Sequence, residues 1–241
     1  MKPLLALGRQ IESLFQRVEQ TSLIAMQEKQ TLDMAINNIS HDIRTPLTVA
    51  SGYTQLGLRK EELDRATLEK IANNLFVVSN RLEALMEYRR LMEGVAKPQL
   101  QKFDLSQEVT RLVMNYYDVF RERGIDLDLR INQGIQFEAD PEIIGRLCQN
   151  LLGNILKHGK TQARLSLSQT EQGLELLFSN QVQQPIQHLD QLTSRFYSEN
   201  MSDTEESSGL GLYICQQLTQ LLGGDMRLST EGDWFSVQIL L

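Results

Sequence analysis

Cysteine is nearly missing from this chain. Cys148 and Cys215 stand far apart inside predicted helices. That excludes a disulfide framework and any cysteine-based metal spacing, and fits two buried thiols in a reducing compartment. Long apolar runs are missing as well. No stretch approaches the roughly 20 apolar residues that span a bilayer. Met1 to Leu7 is too short for a signal-peptide core with a cleavage site. The expectation from composition alone is a soluble chain. Positive charge is not in excess either. With 24 Lys and Arg against 31 Asp and Glu, the net charge of −7 argues against nucleic acid as the main partner. None of the five prolines falls between Pro3 and Pro46, so nothing breaks a long N-terminal helix. What remains is an ordinary globular balance, 41% apolar and 23% charged, in 241 residues. That length holds one large domain or two modest ones.

Helical periodicity dominates the first part. Ile11, Phe15, Val18, Ala25 and Leu32 fit one heptad seam, with Ser22 and Lys29 as its weak positions. Residues 1–30 therefore read as a signalling helix in a parallel coiled coil, the alternative being an ordinary amphipathic helix. From Ile36, one side carries Ile36, Ile39, Ile43, Leu47, Ala50 and Thr54. After the polar break Arg59-Lys60-Glu61-Glu62, a second helix carries Leu68, Ile71, Leu75, Val78, Leu82, Leu85 and Met92. Two helices with one seam each make a thin core. A second copy would complete a four-helix bundle, so residues 31–94 are expected to form a helical-hairpin homodimer.

Gly94 to Pro98 punctuates the chain, with residues 95–98 as linker, and the rhythm then changes. Asp104 is placed to cap a helix through Leu105, Val109, Leu112 and Tyr116 to Arg123, ended by Gly124. Ile125 to Ile131 alternates with period two, a half-buried strand. Phe137 leads to Asp140-Pro141 and a helix from Glu142 to Lys157. Strands Ala163–Ser168 and Leu174–Phe178 follow, then a polar stretch from Gln181 to Ser208 that reads as a mobile loop. A helix from Leu210 to Leu222 and strands Asp225–Ser229 and Trp234–Leu240 close the chain. Helices mixed with strands over residues 99–241 predict an α/β two-layer sandwich.

Two constellations carry chemistry. In Ser40-His41-Asp42-Ile43-Arg44-Thr45-Pro46-Leu47, His41 lies four residues before Thr45 and Asp42 three before it, so the hydroxyl lies one helical turn from both. A neutral imidazole is a nucleophile near neutral pH, and an adjacent carboxylate can take its departing ring proton. Pro46 lacks an N–H, so the Asp42 carbonyl loses its helical partner and a bend is expected there. In the second constellation, Asn150, Asn154 and Lys157 fall at i, i+4 and i+7 on one stripe, while Leu147, Leu151 and Ile155 fill another face. An asparagine carbonyl is a hard oxygen ligand suited to Mg²⁺, and Lys157 is a compact charge for phosphates. Ser208-Gly209-Leu210-Gly211-Leu212 opens a helix whose amide N–H groups and dipole suit phosphate.

The string His-Asp-Ile-Arg-Thr-Pro-Leu closely resembles the phosphoacceptor box of bacterial two-component sensor histidine kinases. The spacing Asn150-x-x-x-Asn154-x-x-Lys157-His158 resembles the N box of their ATP domains, of the Bergerat or GHKL type. Residues 208–212 resemble the second glycine box, and Arg195-Phe196-Tyr197 resembles the F box within the lid over ATP. The resemblance covers roughly residues 30 to 241, with the boxes in the family's order. It implies that His41 is phosphorylated, that Asn154 ligates Mg²⁺, and that Asn150, Lys157 and His158 contact nucleotide and phosphates. It further implies that Gly209, Leu210, Gly211 and Leu212 meet the phosphates and that Phe196 and Tyr197 clamp the lid. A homodimer, ATP with Mg²⁺, and the receiver domain of a response regulator follow as cofactors and partners, and, since such kinases are commonly membrane-anchored, the resemblance implies either a soluble chain or the cytoplasmic portion of a longer protein. Thr45 matches the position that orients a water in dephosphorylating the regulator.

Two departures stand out. Where relatives have Asp-x-Gly-x-Gly, with the Asp on the adenine amino group, this chain has Asn180-Gln181-Val182; an Asn carbonyl accepts the same N–H in a weaker, neutral bond. Ser198 stands where many relatives place an arginine toward the γ-phosphate. The competing classes are a dimeric scaffold with a decayed ATP site and a GHKL module acting on another substrate, such as a serine kinase. The intact His box argues against the second of these.

Overall fold

The computed structural model describes residues 15–20, 23, 26, 36, 40, 43–58, 64–92, 98–170, 173–184, 186–194 and 209–241. The chain divides into two compact units, Met1–Met92 and Glu93–Leu241.

In the first unit, residues 15–20 are helical, as are 43–58 (α1) and Arg65–Met92 (α2). Asp64 opens α2 by accepting from the Thr67 N–H at 2.8 Å. Pro46 and Ala50 are buried on α1 and Tyr88 on α2. The α2 seam stays substantially open: Leu68, Leu75 and Leu82 are 50%, 48% and 46% exposed. Of the N-terminal heptad only Phe15 and Val18 are described, and both are exposed. His41, Asp42 and the Arg59–Glu62 break lie outside the described residues, as does the Asp42 carbonyl at which the bend was expected.

The second unit is the expected two-layer sandwich. A five-stranded sheet has the order β2 (Asp126–Ile131), β4 (Gly159–Thr170), β5 (Gly173–Val182), β7 (Trp234–Leu240) and β6 (Asp225–Glu231). Only β2 and β4 run parallel, the connection between them passing through α5 (Pro141–His158). The remaining pairs are antiparallel. A buried inner row fixes the register: Leu165, Phe178 and Val237 stand in one rung, and Leu167, Leu176 and Ile239 in another. Against this face pack α5, with Ile144, Leu147, Cys148, Leu151, Leu152 and Ile155 buried, and α6 (Gly211–Leu221), with Ile214, Cys215 and Leu218 buried. The outer face is polar, with Arg164 over the Trp234 ring at 5.0 Å and Gln238 donating to Glu175 at 2.9 Å.

Three expectations need correction. The helix from Leu105 to Arg123 is two helices, α3 (Leu105–Met114) and α4 (Tyr117–Glu122). At Asn115–Tyr116 the chain tightens into a turn, with the Tyr116 N–H on the Val113 carbonyl at 2.9 Å. β5 runs beyond Phe178 through Val182, because Gln181 pairs with Trp234 and the Val182 N–H reaches the Asp233 carbonyl at 2.8 Å. The polar stretch therefore begins later than Gln181 and includes one 3₁₀ turn, Leu189–Gln191. Finally β1 (Gln101–Asp104) and β3 (Gln136–Ala139), an antiparallel pair, were not foreseen. Four residues are too few to display a period.

Candidate nucleotide-binding site

The site is carried by α5, whose start is held firmly. Asp140 is its N-cap: Oδ1 accepts from the Glu142 N–H at 2.9 Å and the Ile143 N–H at 3.4 Å, and Pro141 occupies the first turn. Its second oxygen accepts from the Gln99 N–H at 2.8 Å. One carboxylate thus caps the helix and ties down the segment that enters the unit. The capping role is visible in the pair Asp140-Pro141. The tie to Gln99, 41 residues earlier, has no local signal in sequence.

Asn150 and Asn154 project from one side of α5, each half-buried, where the inner apolar row gives way. Asn150 donates Nδ2 to the Arg146 carbonyl at 2.9 Å, which leaves its carbonyl oxygen facing outward from that bond. Opposite them stands the first residue of α6. A methyl group built at Gly211 would lie 3.4 Å from the Asn154 Oδ1 and 3.8 Å from the Asn150 Oδ1. Gly211 keeps that space clear, and the two boxes distant in sequence are neighbours in the fold. Gly209 adopts φ 62°, a left-handed conformation that glycine enters without strain. Unlike α3 and α5, capped by Asp104 and Asp140, α6 has no side-chain cap. The positive dipole end of α6 therefore lies beside the side chains of Asn150 and Asn154.

The remaining candidates divide. Lys157 and His158 lie exposed in the last turn of α5. Leu210 is fully buried and its carbonyl accepts the Ile214 N–H, so only its backbone can meet a ligand; Leu212 is half-buried. Asn180 is 4% exposed and lies within β5, not beyond its end. Arg195, Phe196, Tyr197 and Ser198 lie outside the described residues. So do His41 and Asp42, whereas Thr45 is described and exposed on α1. Among the described residues no partner is found for the Thr45 hydroxyl, while Thr48 and Thr54 donate theirs to carbonyls four residues back at 2.7 and 2.8 Å. No group of three or more His, Cys, Asp or Glu among the described residues could hold a metal ion. Any cation here would need neutral oxygens such as Asn154 together with phosphate oxygens, a donor set that fits Mg²⁺.

A helical unit followed by an α/β sandwich, with an asparagine stripe facing a glycine-opened helix, fits a nucleotide-binding class of protein. Comparison with known proteins gives the family. Residues 31–94 match the His Kinase A (phospho-acceptor) domain and residues 139–241 the histidine kinase-, DNA gyrase B- and HSP90-like ATPase domain. The chain belongs to the sensor histidine kinases. It is 25% identical over 224 residues to sensor histidine kinase YcbM of Bacillus subtilis, covering 88% of this chain and 72% of YcbM. It is 30% identical over 195 residues to the phosphate regulon sensor protein PhoR of Haemophilus influenzae, covering 74% of this chain and 44% of PhoR. Against AfsQ2 of Streptomyces coelicolor it spans 41% of the relative's length. In fold it is similar to the histidine kinase AdeS of Acinetobacter baumannii (TM-score 0.69, 19% identity, 83% of this chain and 95% of that one). It is also similar to histidine kinase ThkA, solved in complex with the response regulator protein TrrA (TM-score 0.65, 20% identity, 89% and 63%). No described helix is long and apolar enough to cross a membrane.

Proposed function

We propose that this chain is an ATP-dependent kinase that phosphorylates its own His41 and passes the phosphoryl group to an aspartate of a response regulator. The observation that carries the ATP reading is the adjacency of Gly211 to Asn150 and Asn154. Hard oxygen donors and a helix N-terminus are neighbours there. Asn154 would ligate Mg²⁺, which supplies charge neutralisation on the phosphates when bound. Lys157 and His158 add donors at the helix end, and the N–H groups at the start of α6 receive phosphate oxygens. In the transfer, a ring nitrogen of His41 forms the bond to the γ-phosphorus. The bond to the bridging oxygen breaks, and ADP leaves with that electron pair. Asp42 takes the proton released from the ring. Positioning and charge neutralisation do most of this work, since the protein supplies little covalent chemistry of its own beyond the nucleophile.

Thr45 supports a second activity. Its exposed, uncommitted hydroxyl can hold a water for attack on the phosphorylated regulator. The half-open α2 seam supports a homodimer, a second copy covering Leu68, Leu75 and Leu82. A regulator as partner is further supported by ThkA, solved with TrrA.

Calorimetry tests the nucleotide site apart from the chemistry. Mg²⁺-ATP should bind the full chain, and His41→Gln should bind it with the same affinity. Asn154→Ala should lose Mg²⁺-dependent binding while remaining dimeric, since α2 is untouched. Unchanged Mg²⁺-ATP affinity in Asn154→Ala refutes the assignment.

A further inference from the structure

Arg81 is only 6% exposed, although the helical unit has little interior in which to hide it. It belongs to the inward side of α2, where Ile71, Asn74, Val78, Leu85 and Tyr88 recur at alternating spacings of three and four and none is exposed. A guanidinium is always charged, and arginine is seldom buried without a counter-charge. Its own helix offers no carboxylate one turn away: those positions are Val77, Val78, Ala84 and Leu85. The facing helix offers none either, since residues 43–58 contain no Asp or Glu. The register of the two helices points to the first one beyond. Lys70 of α2 places its ammonium 5.3 Å from the centre of the Tyr53 ring of α1. Only residues 59–64 separate the helices, which therefore run antiparallel, and each rises about 1.5 Å per residue. Eleven residues on from Lys70 is Arg81, and eleven back from Tyr53 is position 42, flanked by helical Ser40 and Ile43. That position also lies one turn before Pro46, which is buried on the inward side of α1. A buried cation on α2 thus comes level with the position of Asp42.

We propose that Arg81 is a positioning residue for the phosphoryl transfer, the counter-charge that keeps Asp42 ionised and turned toward His41. The inference rests on the phosphotransfer reading and adds to it a member from the second helix. As a ring nitrogen of His41 bonds to the γ-phosphorus, the ring proton passes to the Asp42 carboxylate, which must be ionised to receive it. An adjacent guanidinium favours that ionised form. The test uses the full chain with Arg81→Met, which fills a similar volume without charge, with Asp42→Asn, and with both. Asp42→Asn leaves the buried cation without its counter-charge and should lower the thermal midpoint of the helical unit by several degrees. Adding Arg81→Met should restore it, because an apolar side chain is at ease there. Calorimetry reads both shifts whether or not the variants are active. Autophosphorylation from saturating Mg²⁺-ATP should fall about tenfold or more in Arg81→Met, with Mg²⁺-ATP affinity and the dimer unchanged. The same substitution should cost less than about twofold once Asp42 is already Asn, since it acts through that carboxylate. Arg81→Met carries the rate test alone if Asp42→Asn does not fold. Additive losses in midpoint or in rate, or full autophosphorylation in Arg81→Met, overturn the pairing and leave the kinase reading standing. Absence of label from the natural chain removes that reading and the pairing with it.

Discussion

Thr45 and Cys148 illustrate how differently one side chain can be committed. The Thr45 hydroxyl is exposed and has no partner among the described residues, and no step of the proposed transfer from ATP to His41 requires it. Thr45→Ala should keep autophosphorylation within about tenfold, roughly 1.4 kcal/mol in barrier, while strongly slowing dephosphorylation of the regulator. Both rates measured on one preparation decide this, and a parallel fall would make Thr45 a structural residue of the turn before Pro46. Cys148 is the opposite case. It is fully buried on α5, and burial, with a smaller contribution from Glu108, pushes its thiol up to about 12. The folded chain keeps this proton to higher pH than the unfolded chain does. Its contribution to stability is thus complete below the ordinary thiol value of 9.0 and is lost as pH rises from there toward 12. The slope approaches about 1.4 kcal/mol per pH unit. Denaturant titrations between pH 8 and 11 should show a shallower decline for Cys148→Ala than for the natural chain. Equal slopes would contradict the burial account. A sequence can show that Cys148 lies on the apolar side of a helix; the size of its shift depends on how completely α3 and the sheet cover it.

At the scale of elements, what sequence made legible was whatever repeats along one helix or strand. The i, i+4 spacing of Asn150 and Asn154 placed both on one stripe, and the alternation Leu174, Leu176, Phe178 marked β5. What it hid was contact between elements. Nothing local announces that Gly211 abuts Asn154, or that Asp140 holds the Gln99 N–H. Asn180 continues the inward alternation of β5, but as a polar residue it reads as the end of the strand rather than part of it. The single helix expected from Leu105 to Arg123 failed for a related reason: Leu112, Tyr116 and Phe120 keep a helical rhythm across a turn that interrupts it. The seam of α2 makes its own prediction. A helix with Leu68, Leu75 and Leu82 about half exposed requires an apolar cover. Leu75→Glu places a charge in that seam and should convert a dimer in sedimentation to a monomer, with nucleotide affinity retained. A monomeric natural chain, or an undisturbed dimer in the variant, would contradict the pairing.

For the whole molecule, division of labour is the central claim. In the proposed reaction the first unit supplies the nucleophile His41 and the second the nucleotide site, built from asparagines, Lys157, His158 and glycine-freed backbone, so neither completes it alone. Two departures from the resembled family, Asn180 and Ser198, each remove a charge from the nucleotide side, so the proposed site leaves charge neutralisation of the phosphates to Mg²⁺ and Lys157. The direct test is incubation of the full chain with γ-labelled ATP and Mg²⁺. The prediction is label on the protein that is lost in acid, stable in base, absent in His41→Gln and absent in Asn154→Ala. No label, label stable to acid, or label retained by His41→Gln would contradict it.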